Sequence, residues 1–275
     1  FNNLKNSVMV NFFFKNSLRI FNYLIGLFVL IIIILISPFR LIRLHPVIGD
    51  RLGHFSANIE IFLCEGKSNI NRVTNKDLIL FFYMPNKFGA TICNTQMDIM
   101  WKRVININNQ FPLYYTYKII TKAKKHLLFL SKFIALPVGH SIDPFGLLND
   151  YAPSIGFNKS EELIGKSLLK DFGLTESDKF ICLTCRDSAY LEKEMPGMNW
   201  DYHNYRNGDI ENFKEAAIYL AKQGFFIFRM GKHVEKSFNL NNSQIIDYAN
   251  SPLRSDFMDI YLGAKCEFCI TTQTG

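Results

Sequence analysis

Hydrophobic and polar positions follow three different rhythms along this chain. From 20 to 36 it reads IFNYLIGLFVLIIIILI, 17 residues with no charge and one Asn. Ser37, Pro38 and Phe39 extend the uncharged stretch to 20 residues before Arg40. A membrane span needs about 20 apolar residues, with roughly 17 as the lower limit. A secretory signal has a shorter apolar core and ends in a small-residue cleavage site, whereas Arg40 and Arg43 follow here. Residues 27–36 offer no polar side to solvent, which argues against an ordinary surface helix. The pattern predicts a membrane anchor at about 20–37. Lys5, Lys15 and Arg19 precede it and Arg40, Arg43 and Arg51 follow, so basic residues leave its orientation open.

Beyond the anchor the rhythm alternates. A strand is expected at 41–48, a loop at 49–54, a helix at 55–63 and a strongly apolar, buried parallel strand at 77–84. A helix at 95–103, a strand at 104–107 and a helical stretch at 113–134 follow. Residues 137–160 hold three Pro and three Gly and read as a linker. Alternation then resumes. Ser160-Glu161-Glu162 opens a helix, 180–185 is a strand, and Asp209 caps a helix that runs to Lys222 and stops at Gly224. Strands at 225–230, 244–248 and 267–272 flank a Ser255-capped helix at 256–265. Alternating strands and helices imply an α/β fold with parallel sheets. The expected architecture is two Rossmann-like domains, at 41–136 and 161–275, joined by the 137–160 linker and preceded by the anchor-bearing segment 1–40. The chain begins at Phe1 and ends at Gly275 in what reads as a loop, so the second domain is expected to be truncated.

Composition narrows the classes. Of 275 residues, 48% are hydrophobic and 20% charged, which excludes a disordered chain. With 16 Gly, 9 Pro and 6 Cys, collagen-like and disulfide-scaffold classes fall away. The net charge of +7 hides a split. Residues 1–135 carry 17 Lys and Arg against 5 Asp and Glu; residues 136–275 carry 14 against 19. A basic half beside an apolar anchor fits an anionic bilayer face, and its charge is too dispersed for nucleic acid.

The sequence lacks G-x-x-x-x-G-K-[ST], G-x-G-x-x-G, H-E-x-x-H and G-x-S-x-G, so P-loop, dinucleotide, zinc-protease and serine-hydrolase chemistries lose support. Two C-x-x-C pairs, Cys182/Cys185 and Cys266/Cys269, sit in apolar strand-like runs. Strand residues three apart face opposite ways, so neither pair is expected to chelate; no metal site is expected. The G-D-R-L-G-H segment at 49–54 ends a strand and opens a helix, where Gly53 allows close backbone approach and His54 suits proton transfer. Four later strand ends carry polar groups: Arg186-Asp187, Arg229 with Gly231, Asp247 with Arg254-Ser255-Asp256, and Thr271-Thr272 with Thr274 and Gly275. Ligands of open α/β sheets bind outside such ends. Arg186, Arg229 and Arg254 would neutralise a pyrophosphate, and Thr272, Thr274 and Gly275 would bind its oxygens. The competing reading pairs those arginines with Asp187, Asp247, Asp256 or Asp259.

Several blocks carry a resemblance. Asn204–Ile210 (NYRNGDI, with Arg206 and Asp209), FRMG at 228–231, IDYA at 246–249 and RSDFMDIYL at 254–262 resemble a family of bacterial glycosyltransferases found with surface-polysaccharide genes. RLGHFSANIE at 51–60 is similar to that family's N-terminal signature. The loop TTQTG at 271–275 departs from the family's Ser-Thr-x-Ser-Gly but keeps its hydroxyls. The resemblance implies a two-domain GT-B architecture whose C-terminal domain holds a nucleotide-sugar, with His54 as base and Arg186, Arg229 and 272–275 on the donor. It implies a transferase that moves a sugar to a surface-polysaccharide or lipid-linked glycan, with no cofactor besides the nucleotide-sugar substrate. With no D-x-D motif, metal independence is expected. The expected location is the inner (cytoplasmic) membrane, through a single-pass anchor with the catalytic part in the cytoplasm. The alternative is a membrane-tethered, non-catalytic binding or scaffold protein on a degenerate transferase fold.

Overall fold

The computed structural model describes residues 2–85, 92–108, 110–139, 141–194 and 196–272, with backbone alone for 2–15 and 110. The chain is α/β, with parallel sheets in two units. One unit comprises Phe1–Cys93 and Trp101–Ile155, the other Asn94–Met100 and Gly156–Gly275.

In the first unit, helix α1 (Asn2–Ile36) leads to strand β1 (Ile42–Val47), helix α2 (Leu52–Lys67), strand β2 (Leu78–Tyr83), the end of helix α3 (Thr95–Val104, whose residues up to Met100 belong to the second unit), strand β3 (Ile107–Asn108), helix α4 (Gln110–Ala123) and the single turn α5 (Leu147–Asp150). The strands lie in the order β1-β2-β3, all parallel, and Ile134 bridges to Leu44 on the other side of β1. Alternation along β1 and β2 divides their side chains between two faces. Ile42, Leu44, Leu78, Leu80 and Phe82 pack with Leu30 and Ile33 of α1 and Leu113 and Ile120 of α4. On the other face His45 and Phe81 meet Phe62 of α2, with ring centroids 4.3 Å (His45–Phe62) and 5.9 Å (Phe62–Phe81) apart.

Helix α1 holds a stretch, Asn16–Ile36, long and apolar enough to cross a membrane. It does not stand free of the unit. A side chain at Gly26 would lie 2.8 Å from Tyr115 Cβ and 2.9 Å from Thr116 N, so glycine alone permits this approach to α4. Thr116 Oγ1 donates to Gly26 O at 3.0 Å, and Asn22 donates to the Tyr115 hydroxyl at 3.3 Å. The remaining side of α1 exposes Phe21, Leu24, Leu27, Phe28, Ile31 and Leu35. The apolar stretch thus serves two surfaces at once, which explains its lack of a polar side.

The expected linker is not one up to residue 155. Buried Glu65 accepts Val138 N at 2.8 Å, Glu60 accepts Ser154 N at 3.0 Å, and the Tyr151 hydroxyl accepts from Ser68 at 2.9 Å. Pro and Gly there set turns on a folded segment that α2 carboxylates hold by its backbone amides. The expected helix over 113–134 ends at Ala123, and a 3₁₀ segment, Leu128–Phe133, carries Leu130 and Phe133 into the core.

In the second unit, helix α6 (Lys159–Asp171) precedes strand β4 (Lys179–Thr184), helices α7 (Ala189–Glu194) and α8 (Lys214–Lys222), strands β5 (Phe225–Arg229) and β6 (Ile245–Ile246), helix α9 (Asp256–Lys265) and strand β7 (Cys269–Thr271). The sheet order is β6-β5-β4-β7, all parallel. Ile181, Leu183 and Ile227 face Ala217 and Ala221 of α8. Phe180, Cys182 and Phe228 face Met258, Tyr261 and Leu262 of α9. Asn158, not Ser160, starts α6, through a capping box with Glu161. The Asp209 cap is present, but it accepts Glu211 N at the head of a 3₁₀ turn, Ile210–Phe213, that runs into α8.

His45 is buried, its Nδ1 has no hydrogen-bond partner, and burial lowers its pKa to about 3 despite a backbone hydrogen bond with Ala135. The folded state therefore keeps it neutral, while the unfolded chain protonates it below about 6.5. Its contribution is complete above 6.5 and is lost as pH falls towards 3. Urea unfolding is expected to show about 2 kcal/mol less stability at pH 5 than at pH 7 from this group, and His45→Phe, between Phe62 and Phe81, is expected to shrink that difference. An unchanged pH dependence in the variant would assign the acid sensitivity elsewhere.

Candidate functional site

At the end of β4 the chain is pinned by β7. Thr272 N donates to Thr184 O at 3.1 Å, and Arg186 N donates to Thr272 Oγ1 at 2.8 Å. A third segment, 204–209, closes on this pair. Gly208 N donates to Arg186 O at 2.8 Å, and Arg186 Nε donates to Asn207 Oδ1 at 3.3 Å. A side chain at Gly208 would come within 3.0 Å of Cys185 Sγ and 3.1 Å of Thr272 Cγ2, so anything larger than glycine makes both neighbours give by a few tenths of an ångström. Arg186, Thr272 and the Asn207-Gly208 turn therefore form one constellation at the C-terminal edge of the sheet, where α/β folds place ligands. Arg206 lies in the same segment; it is half-buried and its Nε has no hydrogen-bond partner.

Beside this constellation is a cleft of about 330 Å³ lined by Asp187, Asp209, Glu235, Lys236 and Asn207. Lys236 Nζ lies 2.8 Å from Asp209 Oδ2, which holds that carboxyl below, and the ammonium above, its ordinary pKa. Three carboxylates against one ammonium make the lining acidic. Such a surface receives hydroxyls and amines more readily than phosphate oxygens.

Arg229 does not project into the cleft. Its side chain is 1% exposed; Nη1 donates to Asp247 Oδ1 at 3.3 Å and Nη2 lies 4.0 Å from Asp187 Oδ2. A guanidinium this deep must be neutralised, and the two carboxylates at neighbouring strand ends do so. The expectation of a donor-binding Arg229 is corrected to a structural ion pair. Asp187 and Asp247 are likewise structural: Asp187 accepts Glu235 N at 2.9 Å, and Asp247 accepts Phe238 N at 2.9 Å.

Arg254 follows the same pattern. It pairs with Asp256 at 3.3 Å and with Asp259, whose other oxygen accepts from the Tyr248 hydroxyl at 2.8 Å. Burial pushes both the Asp259 carboxyl and the Tyr248 phenol up. Asp256 Oδ2 also accepts Thr95 N at 2.8 Å and Thr95 Oγ1 at 2.9 Å, at the start of α3. Arg254, Asp256 and Asp259 thus hold helix ends in place and leave the donor set. Gly231 is fixed by its backbone: φ is +149°, and a side chain would meet Val234 at 2.6 Å. Thr274 and Gly275 lie outside the described residues.

His54 stands in the first turn of α2, in the first unit, beside exposed Gly53. Its Nδ1 is 3.1 Å from Ser141 Oγ. When Nδ1–H donates to that hydroxyl, Nε2 keeps a lone pair and can take a proton; the opposite tautomer makes Nε2 a donor. Ser141 was hidden in the sequence because 87 positions separate it from His54. Asn207 stood out only as part of the NYRNGDI resemblance, and Glu235 and Lys236 gave no signal, since ordinary surface residue types acquire a role only through the loop packing.

The two cysteine pairs behave differently. Cys182 and Cys185 pack against opposite faces of the sheet, as strand geometry requires. Cys266 is not in a strand; it caps the C-terminal end of α9, and its Sγ lies 3.5 Å from Cys269 Sγ. The expectation that Cys266 and Cys269 point apart is corrected, because only Cys269 obeys strand alternation.

Arg229→Ala is expected to leave Asp247 and Asp187 as uncompensated, mostly buried charges and to cost about 3–5 kcal/mol. A melting curve reads that loss. Nucleotide affinity of the remaining folded protein is expected to stay as in the wild type. A variant with unchanged melting and weakened nucleotide binding would restore Arg229 to the ligand.

No family model, no curated protein and no solved structure matches this chain.

Proposed function

We propose that the protein is a membrane-associated glycosyltransferase of GT-B type, in which the second unit holds a nucleotide-sugar and the first presents His54 to a glycan or lipid-linked acceptor. The supporting observation is the convergence of Arg186, Thr272 and the Asn207-Gly208 turn at one sheet edge beside a cleft. Arg186 and Arg206 stand on either side of this constellation and supply positive charge for the diphosphate, and the Thr272 hydroxyl, which accepts from Arg186 N, keeps its proton to donate to a phosphate oxygen. The acidic lining, Asp187, Asp209 and Glu235, accepts hydrogen bonds from ribose or sugar hydroxyls. His54 takes the proton of the acceptor hydroxyl as its oxygen attacks the anomeric carbon, while the diphosphate leaves with the bonding pair. One observation favours the second reading, a non-catalytic tethered binding protein: two of the three strand-end arginines are consumed by carboxylates.

The full chain in detergent micelles provides the test. UDP, GDP and CMP are added separately and melting is followed; one of them is expected to raise the melting temperature. Arg186→Ala and Arg206→Ala are expected to diminish that rise, and His54→Gln to preserve it. Nucleotide release from the matching nucleotide-sugar is expected to fall by about 100-fold or more in His54→Gln. No shift with any nucleotide leaves the binding-protein reading.

The apolar length of α1 and its exposed side support membrane attachment. We infer that its exposed apolar side enters the cytoplasmic leaflet of the inner membrane while its other side stays on α4. An open three-stranded sheet cannot enter hydrocarbon, because its edge groups would lose water. The docking of Leu30 and Ile33 of α1 in that sheet's core supports a helix that lies along the bilayer surface, in place of the single-pass anchor expected from the sequence. Lys118 and Lys122 sit over the Tyr23 ring at 5.8 and 5.7 Å, which suits the headgroup level. In reconstituted vesicles, an impermeant acylating ester added on one side is expected to label Lys5 and Lys118 together. Labelling from opposite sides would establish a crossing helix that has left α4.

A further inference from the structure

We propose that Cys182, Cys266 and Cys269 form a binding site for one soft, thiophilic metal ion, separate from the donor site. Their three sulfurs lie within 4.8 Å of one another, and the Cys266 and Cys269 sulfurs are 3.5 Å apart. Metal–thiolate bonds of about 2.3 Å place sulfurs roughly 3.8 Å apart in a tetrahedral site and roughly 4.0 Å in a trigonal one. The cluster meets that spacing with small side-chain adjustments.

The topology explains why three residues from two motifs meet. Cys182 of β4 and Cys269 of β7 are register partners in adjacent parallel strands, so their side chains share a face. That face is covered by α9, whose C-terminal cap is Cys266. Cys182 is buried, Cys266 half-buried and Cys269 exposed, so the site has a closed floor and an entry path.

The chemistry favours a metal over a reactive thiol. Burial pushes Cys182 up and Cys269 to about 11, and Cys266 sits at the negative end of a helix dipole. Neither Cys182 nor Cys269 is set up as a nucleophilic thiolate. A cation supplies the missing positive charge: each ligating thiol releases its proton and the sulfur lone pair enters the metal bond. A donor set of thiolates selects zinc(II) or copper(I) over magnesium or calcium. Three sulfurs leave a fourth position open to water on the Cys269 side. The ion would tie edge strand β7 to β4 and to the end of α9, immediately before Thr272.

The reduced full chain in detergent is titrated with zinc(II) and, anaerobically, with copper(I), each against a chromophoric chelator; cobalt(II) serves as a spectroscopic probe. One equivalent of at least one of the two native-type ions is expected, with a sulfur-to-cobalt charge-transfer band and a raised melting temperature. Altering groups around a metal's ligands costs about 10–100-fold in affinity, so losing a ligand is expected to cost more than about 100-fold. Cys266→Ser and Cys269→Ser, both at partly or fully exposed positions, are expected to show that loss while melting like the metal-free wild type. Cys93→Ser, in the first unit, is expected to bind normally. Copper(I) binding alone marks a trigonal site, and zinc(II) binding alone marks a four-coordinate site with water. Binding of neither ion overturns the proposal, as does wild-type affinity in Cys269→Ser.

Discussion

The second unit depends on a buried guanidinium. Arg229 ends β5, and its charge draws Asp247 from the end of β6 and Asp187 from the loop after β4. Each of those carboxylates also accepts a loop amide, Asp247 that of Phe238 through its other oxygen and Asp187 that of Glu235 through the oxygen that faces Arg229. One ion therefore organises three strand ends and the loop between β5 and β6. Burying a charge this way costs desolvation, so it is poor evidence for stability but good evidence for a single arrangement of the loops. The cleft beside it has Asp187 and Glu235 in its lining, so the shape of the cleft is a consequence of that pairing.

In the first unit the comparable constraint is apolar. A parallel sheet needs cover on both faces, and α2 supplies one while α1 and α4 supply the other. The Gly26 contact brings two helix backbones together and commits one stripe of α1 to the body. The opposite stripe stays uncovered among the described residues. Hydropathy sums both stripes into one signal, which is why a sequence window reads the helix as an anchor alone.

Much of the fold was legible. Strands at 77–84 and 180–185 were visible as apolar runs, and the Ser255 cap was visible as a hydroxyl ahead of an apolar helix. The stretch 137–155 was misread because Pro and Gly mark turns whether or not the turns are packed; the deciding contacts come from Glu60 and Glu65, more than 70 positions away. The site was less legible for a related reason. Arginine at a strand end looks the same in sequence whether it meets a ligand or a carboxylate. Only the register of β5 beside β6 and β4 places Asp247 and Asp187 against Arg229. The Cys266–Cys269 contact turned on one boundary: α9 reaches Lys265 and β7 begins at Cys269, so the intervening turn reverses the side chain that strand alternation would have pointed away.

Electrostatics sets the last constraint on any ligand. The half of the chain that builds the second unit's sheet is acidic, and its cleft shows three carboxylates. A diphosphate entering there meets like charge unless it is held at the rim, where Arg186 and Arg206 flank the Asn207-Gly208 turn. Phosphates at the rim and hydroxyls towards the carboxylates is the orientation that places each ligand group beside its complement. The reverse orientation would set phosphate oxygens against Asp187, Asp209 and Glu235, and only Lys236, already 2.8 Å from Asp209, would oppose the repulsion. A ligand with a charged end and a hydroxyl-rich end therefore fits this edge in one direction only, and that polarity, more than the cleft's volume, is what the arrangement of strand ends provides.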